Sequence, residues 1–98
     1  MILEQALFTI VPGSEAAFEA DFERARGIVA QSPGYRSLRL LRGVEQPSSY
    51  LLLIEWDSVD DHMQGFRESE RFEQWAALTR PHFGAPPSVQ HFDPIVSQ

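Results

Sequence analysis

The chain has 98 residues, of which 43% are hydrophobic and 22% charged, and it carries a formal net charge of −6. That is the length of one domain and too apolar a composition for disorder, so a single domain over residues 1–98 is expected. Without any cysteine, disulfides, iron–sulfur clusters, thiolate zinc sites and a cysteine nucleophile are all excluded.

Residues 2–11 are rich in β-branched and aromatic side chains and read as a first strand. Pro12-Gly13 breaks it, and Ser14 is placed to cap a helix. Over residues 15–31, Phe18, Phe22, Ala25 and Val29 recur on one helical stripe, with Glu15, Glu19, Glu23 and Arg26 on the other side. Ser32-Pro33-Gly34 ends that helix. Residues 35–42 and 49–56 read as two further strands joined by a hairpin loop over 43–48. Ser58-x-x-Asp61 is a capping-box-like start for a short helix with Val59, His62, Met63 and Phe66 on one face. Ser69 can cap another helical segment carrying Phe72, Trp75, Ala76 and Leu78, which stops at Arg80-Pro81. Residues 88–94 form the last strand.

The order is βαββαβ, an α+β ferredoxin-like arrangement with a four-stranded antiparallel sheet. Such a sheet carries both helices on one face, and the other face is usually polar. In this chain both faces read as apolar. Tyr50, Leu52, Ile54 and Trp56 alternate with Leu51 and Leu53; Ile2, Ala6, Phe8 and Ile10 alternate with Leu3, Leu7 and Val11. The second face needs a cover, and a second copy supplies it most simply, so a homodimer is expected.

All eight basic residues are arginines, and there is neither lysine nor asparagine. The missing lysine excludes Schiff-base chemistry and a Walker lysine. The acidic balance speaks against nucleic acid and anionic membrane surfaces as partners. No apolar run approaches the ~18 residues of a membrane span, and residues 1–8 lack the basic start of a secretory signal. The expected location is therefore the cytoplasm.

Pro33-Gly34-Tyr35 after the first helix, the run from Tyr50 to His62 with its Glu-Trp-x-Ser turn, and Ser69-x-x-Phe72 together resemble the antibiotic biosynthesis monooxygenase family of dimeric α/β-barrel proteins. The resemblance covers nearly the whole chain. It implies a dimer built by packing two sheets face to face, and a pocket between each sheet and its helices. It also implies oxidation of flat polyphenolic substrates by dioxygen with no bound cofactor, the substrate carbanion supplying the electrons. A haem-degrading branch uses an asparagine, a tryptophan and a histidine, and this chain has none of them at the matching places. The quinone-forming members place an asparagine four residues before the strand tryptophan; here Leu52 stands four residues before Trp56.

His62 is the candidate base, with a pKa near neutrality; the plainer alternative is a half-buried histidine bonded to a backbone carbonyl. Trp56 and Trp75 could stack on a flat substrate, or simply belong to the core. Phe8, Phe66 and Phe83 are candidates to line the same space, as is Phe72. The Tyr50 hydroxyl could donate to a substrate oxygen. Arg39 sits between two leucines and needs a partner, for which Glu55 and Glu4 are available. The three histidines, at 62, 82 and 91, match no short metal motif, so no metal is expected. The leading expectation is a cofactor-independent monooxygenase of a quinol- or anthrone-like small molecule. The rival is a non-catalytic dimeric barrel that binds a small apolar ligand. An enclosed cavity that reaches His62 and a further polar group would favour chemistry over carriage.

Overall fold

Strict alternation along two central strands organises the molecule. The computed structural model describes residues 1–97, so Gln98, the last residue of the expected domain, lies outside the described residues. Its elements are β1 (Ile2–Thr9), α1 (Glu15–Val29), β2 (Tyr35–Arg42), β3 (Ser49–Trp56), α2 (Glu70–Thr79) and β4 (Ser88–Phe92). The strands form one antiparallel sheet in the order β2-β3-β1-β4. β1 lies along β3 from Ile2 opposite Trp56 to Thr9 opposite Ser49. On its other side, β4 sets His91 opposite Glu4. This is the ferredoxin-like βαββαβ fold.

Tyr50, Leu52, Ile54 and Trp56 are all buried toward the helices, as are Ala6, Phe8 and Ile10. The α1 stripe of Phe18, Phe22, Ala25 and Val29 packs on them. The Ser14 side chain makes no cap; instead the Gly13 N–H donates to the Glu15 carboxylate at 2.9 Å. On the outer sheet face, Leu3, Leu51 and Leu53 are half-buried, while Leu7 and Phe92 are 46% and 45% exposed. Arg39 shares this face opposite Leu53 and is exposed. Among the described residues it pairs with neither acid expected for it: Glu55, on the same face, accepts from the Ser37 hydroxyl, and Glu4 points to the other side of the sheet.

After β3 the chain makes a π-helical turn over Asp61–Phe66, closed by the Arg67 N–H donating to the His62 carbonyl at 2.9 Å. Ser58 starts it, accepting from the Asp61 N–H and donating to the Asp61 carboxylate. The widened turn corrects the expected helix face. His62 and Phe66 are buried, whereas Val59 and Met63 remain 39% and 38% exposed. Gly34 is required beside it, because it has φ +84° and a Cβ there would collide with the Asp61 side chain. Ser69 caps α2 as expected, accepting from the Phe72 N–H. Pro81 ends α2 in a short 3₁₀ turn, which His82 fastens to α1 through Asp21 at 2.8 Å.

Phe18 is fully buried and packs edge-on against Phe8 and Tyr50, 6.0 and 4.9 Å between ring centres. Phe18→Ala should lower unfolding free energy by about 3–5 kcal/mol, the usual cost of such a truncation. Urea denaturation measures this, and a loss under about 1 kcal/mol would contradict the packing described.

Candidate functional site

Between the inner sheet face and α2 lies a cavity of about 390 Å³, within the ~300–1,000 Å³ of small-molecule sites. β1 supplies Glu4, Ala6 and Phe8 to its wall, the π turn His62 and Phe66, and α2 Phe72, Trp75, Ala76 and Thr79. Ile54 of β3 and Arg67, Arg80, Phe83, Pro87 and Val89 complete it. The aromatic side chains hold one another in place. Phe66 meets Phe72 and Trp75 edge-on, and Phe8 lies 4.8 Å from Phe83 between ring centres. The buried indole N–H of Trp75 has no acceptor among the described residues, a donor that costs about 1–3 kcal/mol to leave bare.

The polar end of the cavity is built around Glu4, which is only 4% exposed. Its Oε1 accepts from the Trp56 indole N–H at 2.9 Å and lies 3.3 Å from His62 Nε2. His62 Nδ1 is 2.8 Å from Nε2 of His91 on β4. Trp56 fixes this arrangement from behind by stacking on the His62 ring, 5.3 Å between centres at 26°. Three titratable groups thus form a line from the cavity to the sheet edge.

Burial pushes the Glu4 carboxyl up to about 7, against the pull of the Trp56 bond and the Arg67 charge. Burial, helped by His91 and Arg67, draws His62 down to about 4. This corrects the expectation of a near-neutral histidine: desolvation penalises both charged forms, so the imidazole stays neutral and the carboxyl is the group that titrates near neutrality. The line has two complete proton arrangements. In one, His91 donates to His62 and His62 faces Glu4 with its N–H. In the other, a protonated Glu4 faces His62 Nε2 and His62 donates to His91.

His62, Phe66, Trp75, Phe8 and Phe83 share the cavity wall, and Phe72 joins them. Trp56 and Tyr50 stand outside it. Trp56 is fully buried, its ring covered by His62 and its N–H engaged by Glu4. Tyr50 borders an open groove between α1 and β2–β3, and its hydroxyl donates to Glu19 at 2.5 Å. Burial and that bond push the phenol up to about 12. The groove's charges largely pair with each other, Arg26 with Glu23 and Arg42 with Glu19, so it offers no free reactive group comparable to Glu4. Sequence reasoning missed Glu4, His91, Arg67 and Arg80 as site residues. Among the described residues, no group of three or more acids and histidines is arranged to hold a metal ion, and no helix is long and apolar enough to cross a membrane.

Comparison with known proteins gives a consistent picture. A family model described as antibiotic biosynthesis monooxygenase matches residues 1–78. The uncharacterized protein YczJ of Bacillus subtilis is 36% identical over 97% of this chain and 100% of its own length. A Bordetella bronchiseptica crystal structure, assigned to the same type of monooxygenase, superposes with TM-score 0.94 at 37% identity over 97% of each chain. SnoaB, a cofactor-independent oxygenase from Streptomyces nogalater, shares the fold with TM-score 0.84 at 23% identity, over 98% of this chain and 94% of that one.

Because the Glu4 pKa is raised in the folded state, the stability this group contributes is present below about 4.5 and lost as pH rises through about 7. Glu4→Gln should remove that loss. At pH 8 its melting temperature should exceed that of the wild type by several degrees, at ~4–8 °C per kcal/mol for such a domain. At pH 4, below the ordinary value of 4.5, the two should nearly coincide. A variant less stable at both pH values would contradict the raised pKa.

Proposed function

This chain belongs to the antibiotic biosynthesis monooxygenase family, and we propose that it oxidises a quinol- or anthrone-like aromatic small molecule with dioxygen, without a bound cofactor. The observation that carries this reading is the joining of an aromatic-walled cavity to the Glu4–His62 pair. A cavity with apolar walls throughout would favour simple ligand carriage. This one has a proton acceptor poised near neutral pH, which is the group the chemistry needs.

Glu4, ionised, takes a proton from a phenol or an activated ring CH₂. The resulting anion is delocalised over the ring and reduces dioxygen directly. For a ring CH₂, one oxygen atom remains as the new carbonyl and the other leaves as water with both hydrogens; for a quinol, dioxygen takes the two electrons and two protons and leaves as hydrogen peroxide. His62 is the partner through which Glu4 hands its proton to His91 at the sheet edge. Phe8, Phe66, Trp75 and Phe83 hold the substrate plane and keep water from the anion. The 3.3 Å between His62 and Glu4 is long for a hydrogen bond, as catalytic contacts often are before a ligand closes them. SnoaB, whose name carries a cofactor-independent oxygenase activity, supports the reaction class.

The protein works as a homodimer in this reading. Leu3, Leu7, Leu51 and Leu53 form an apolar face on the sheet, and soluble monomers rarely leave such faces open. A two-fold copy covers it with the same face, burying over about 2,000 Å² in total.

Oxygen uptake against a panel of hydroquinones and anthrones tests the reaction, and uptake with no member of the panel would sink it. For any substrate so found, kcat/KM should rise with pH and level off above about 7 as Glu4 ionises. Glu4→Gln should abolish that limb, and His62→Ala should cost ~10²–10⁴ in rate with the fold intact. For the dimer, Leu53→Asp would bury a charge without a partner; light scattering should show the assembly split, whereas a wild-type monomer at micromolar concentration would refute the dimer.

A further inference from the structure

We propose that Arg67 and Arg80 form an anion subsite at the cavity mouth, so that the molecule bound there is an aromatic acid whose carboxylate sits between them. This rests on the reading of the cavity as the substrate site and narrows its substrate class. Both arginines line the cavity. Both also stack on one ring, Phe72, with the guanidinium carbons 4.9 and 5.7 Å from its centre. Arg67 follows the π turn and Arg80 closes α2, so two separate elements bring their charges to the same aromatic side chain.

Among the described residues neither guanidinium is ion-paired with a carboxylate, although the Arg67 charge is felt by Glu4. Fourteen acids face eight bases in this protein, and Arg26, Arg36 and Arg42 each hold a carboxylate. Arg71 is taken up by Ser32 and the Gly65 carbonyl. Among the described residues neither Arg67 nor Arg80 enters a salt bridge, although both are exposed and acids are plentiful. The ionisable groups of the cavity wall are Glu4, His62, Arg67 and Arg80. With His62 neutral, that wall is net positive in a molecule of net charge −6.

A guanidinium stacked on a ring keeps its N–H edge free and its plane fixed, which suits a carboxylate. The geometry also sets a direction. Glu4 at the inner end repels a second carboxylate, so an acid enters with its anion at the mouth and its oxidisable ring toward Glu4 and His62.

The test is calorimetric binding of 1-hydroxy-2-naphthoate and of the neutral 1-hydroxy-2-naphthamide to the whole protein at low salt. The acid should bind about 3–10-fold tighter than the amide, as charge-assisted contacts with two exposed guanidinium groups imply. The double variant Arg67→Gln/Arg80→Gln should lose that preference, so that acid and amide bind with about the same affinity as each other. Equal or weaker binding of the acid by the wild type, with the amide still bound, would overturn the subsite and leave the aromatic cavity reading standing. A preference that survives in the double variant would likewise overturn the assignment to these arginines. Binding of neither probe at millimolar concentration would overturn the cavity reading itself, and the subsite with it.

Discussion

A carboxyl group held on the inner face of the sheet is the constraint to which the rest of the site conforms. Glu4 sits where a leucine or valine would pack without cost, and burial of its charge is expensive unless donors surround it. Trp56, which stands on β3 opposite Ile2 and diagonal to Glu4, donates one N–H. His62 comes from the following turn and stacks on the same indole. Even so, the donors only partly offset the desolvation, and the carboxyl stays protonated to a pH near 7. A group tolerated at such a cost in a domain with so small a core is better explained by proton transfer than by stability.

The π-helical turn is the device that delivers His62. A regular helix over residues 59–66 would carry Val59 and Met63 to the sheet along with His62 and Phe66. The extra residue in the turn swings those two outward and leaves the imidazole and the Phe66 ring facing Trp56. Single π turns recur at functional sites for this reason: they re-aim one side chain while the flanking structure stays intact. The same turn ends at Arg67, so the histidine at the inner end and the arginine at the mouth are fixed by one local irregularity. Gly34 completes the support, since only a residue without a Cβ leaves room for the Asp61 side chain.

Most of the fold was legible because its signals are periodic. β2 and β3 fall where the sequence places them, and the α1 stripe is the one its spacing gives. The parity of β3 correctly separates Tyr50 and Trp56 from Leu51 and Leu53. That same parity held the signal for Glu4, which stands in phase with Ala6, Phe8 and Ile10 as the one acid in an inward series. Pairing it with Arg39 on the outer face overlooked this. Trp56 and Tyr50 have inward parity, yet α1 and the π turn cover them before any ligand could. Parity tells which face a side chain takes, but not what lies over it. The near-neutral pKa expected of His62 failed for a similar reason, because desolvation depends on every element packed around the ring. Arg67 and Arg80 gave no signal at all, since they meet over Phe72 only through the tertiary arrangement.

The central claim is that a buried carboxyl, rather than the imidazole beside it, exchanges a proton near neutral pH. A carbon-13 NMR titration of the Glu4 side-chain carboxyl, assigned by its loss in Glu4→Gln, tests this without need of a substrate. A midpoint near 7, well above the ordinary 4.5, with the His62 ring neutral down to about pH 4, is the predicted result. A Glu4 midpoint at or below 4.5 with His62 titrating near 6.5 or higher would show a conventional ion pair and contradict the account.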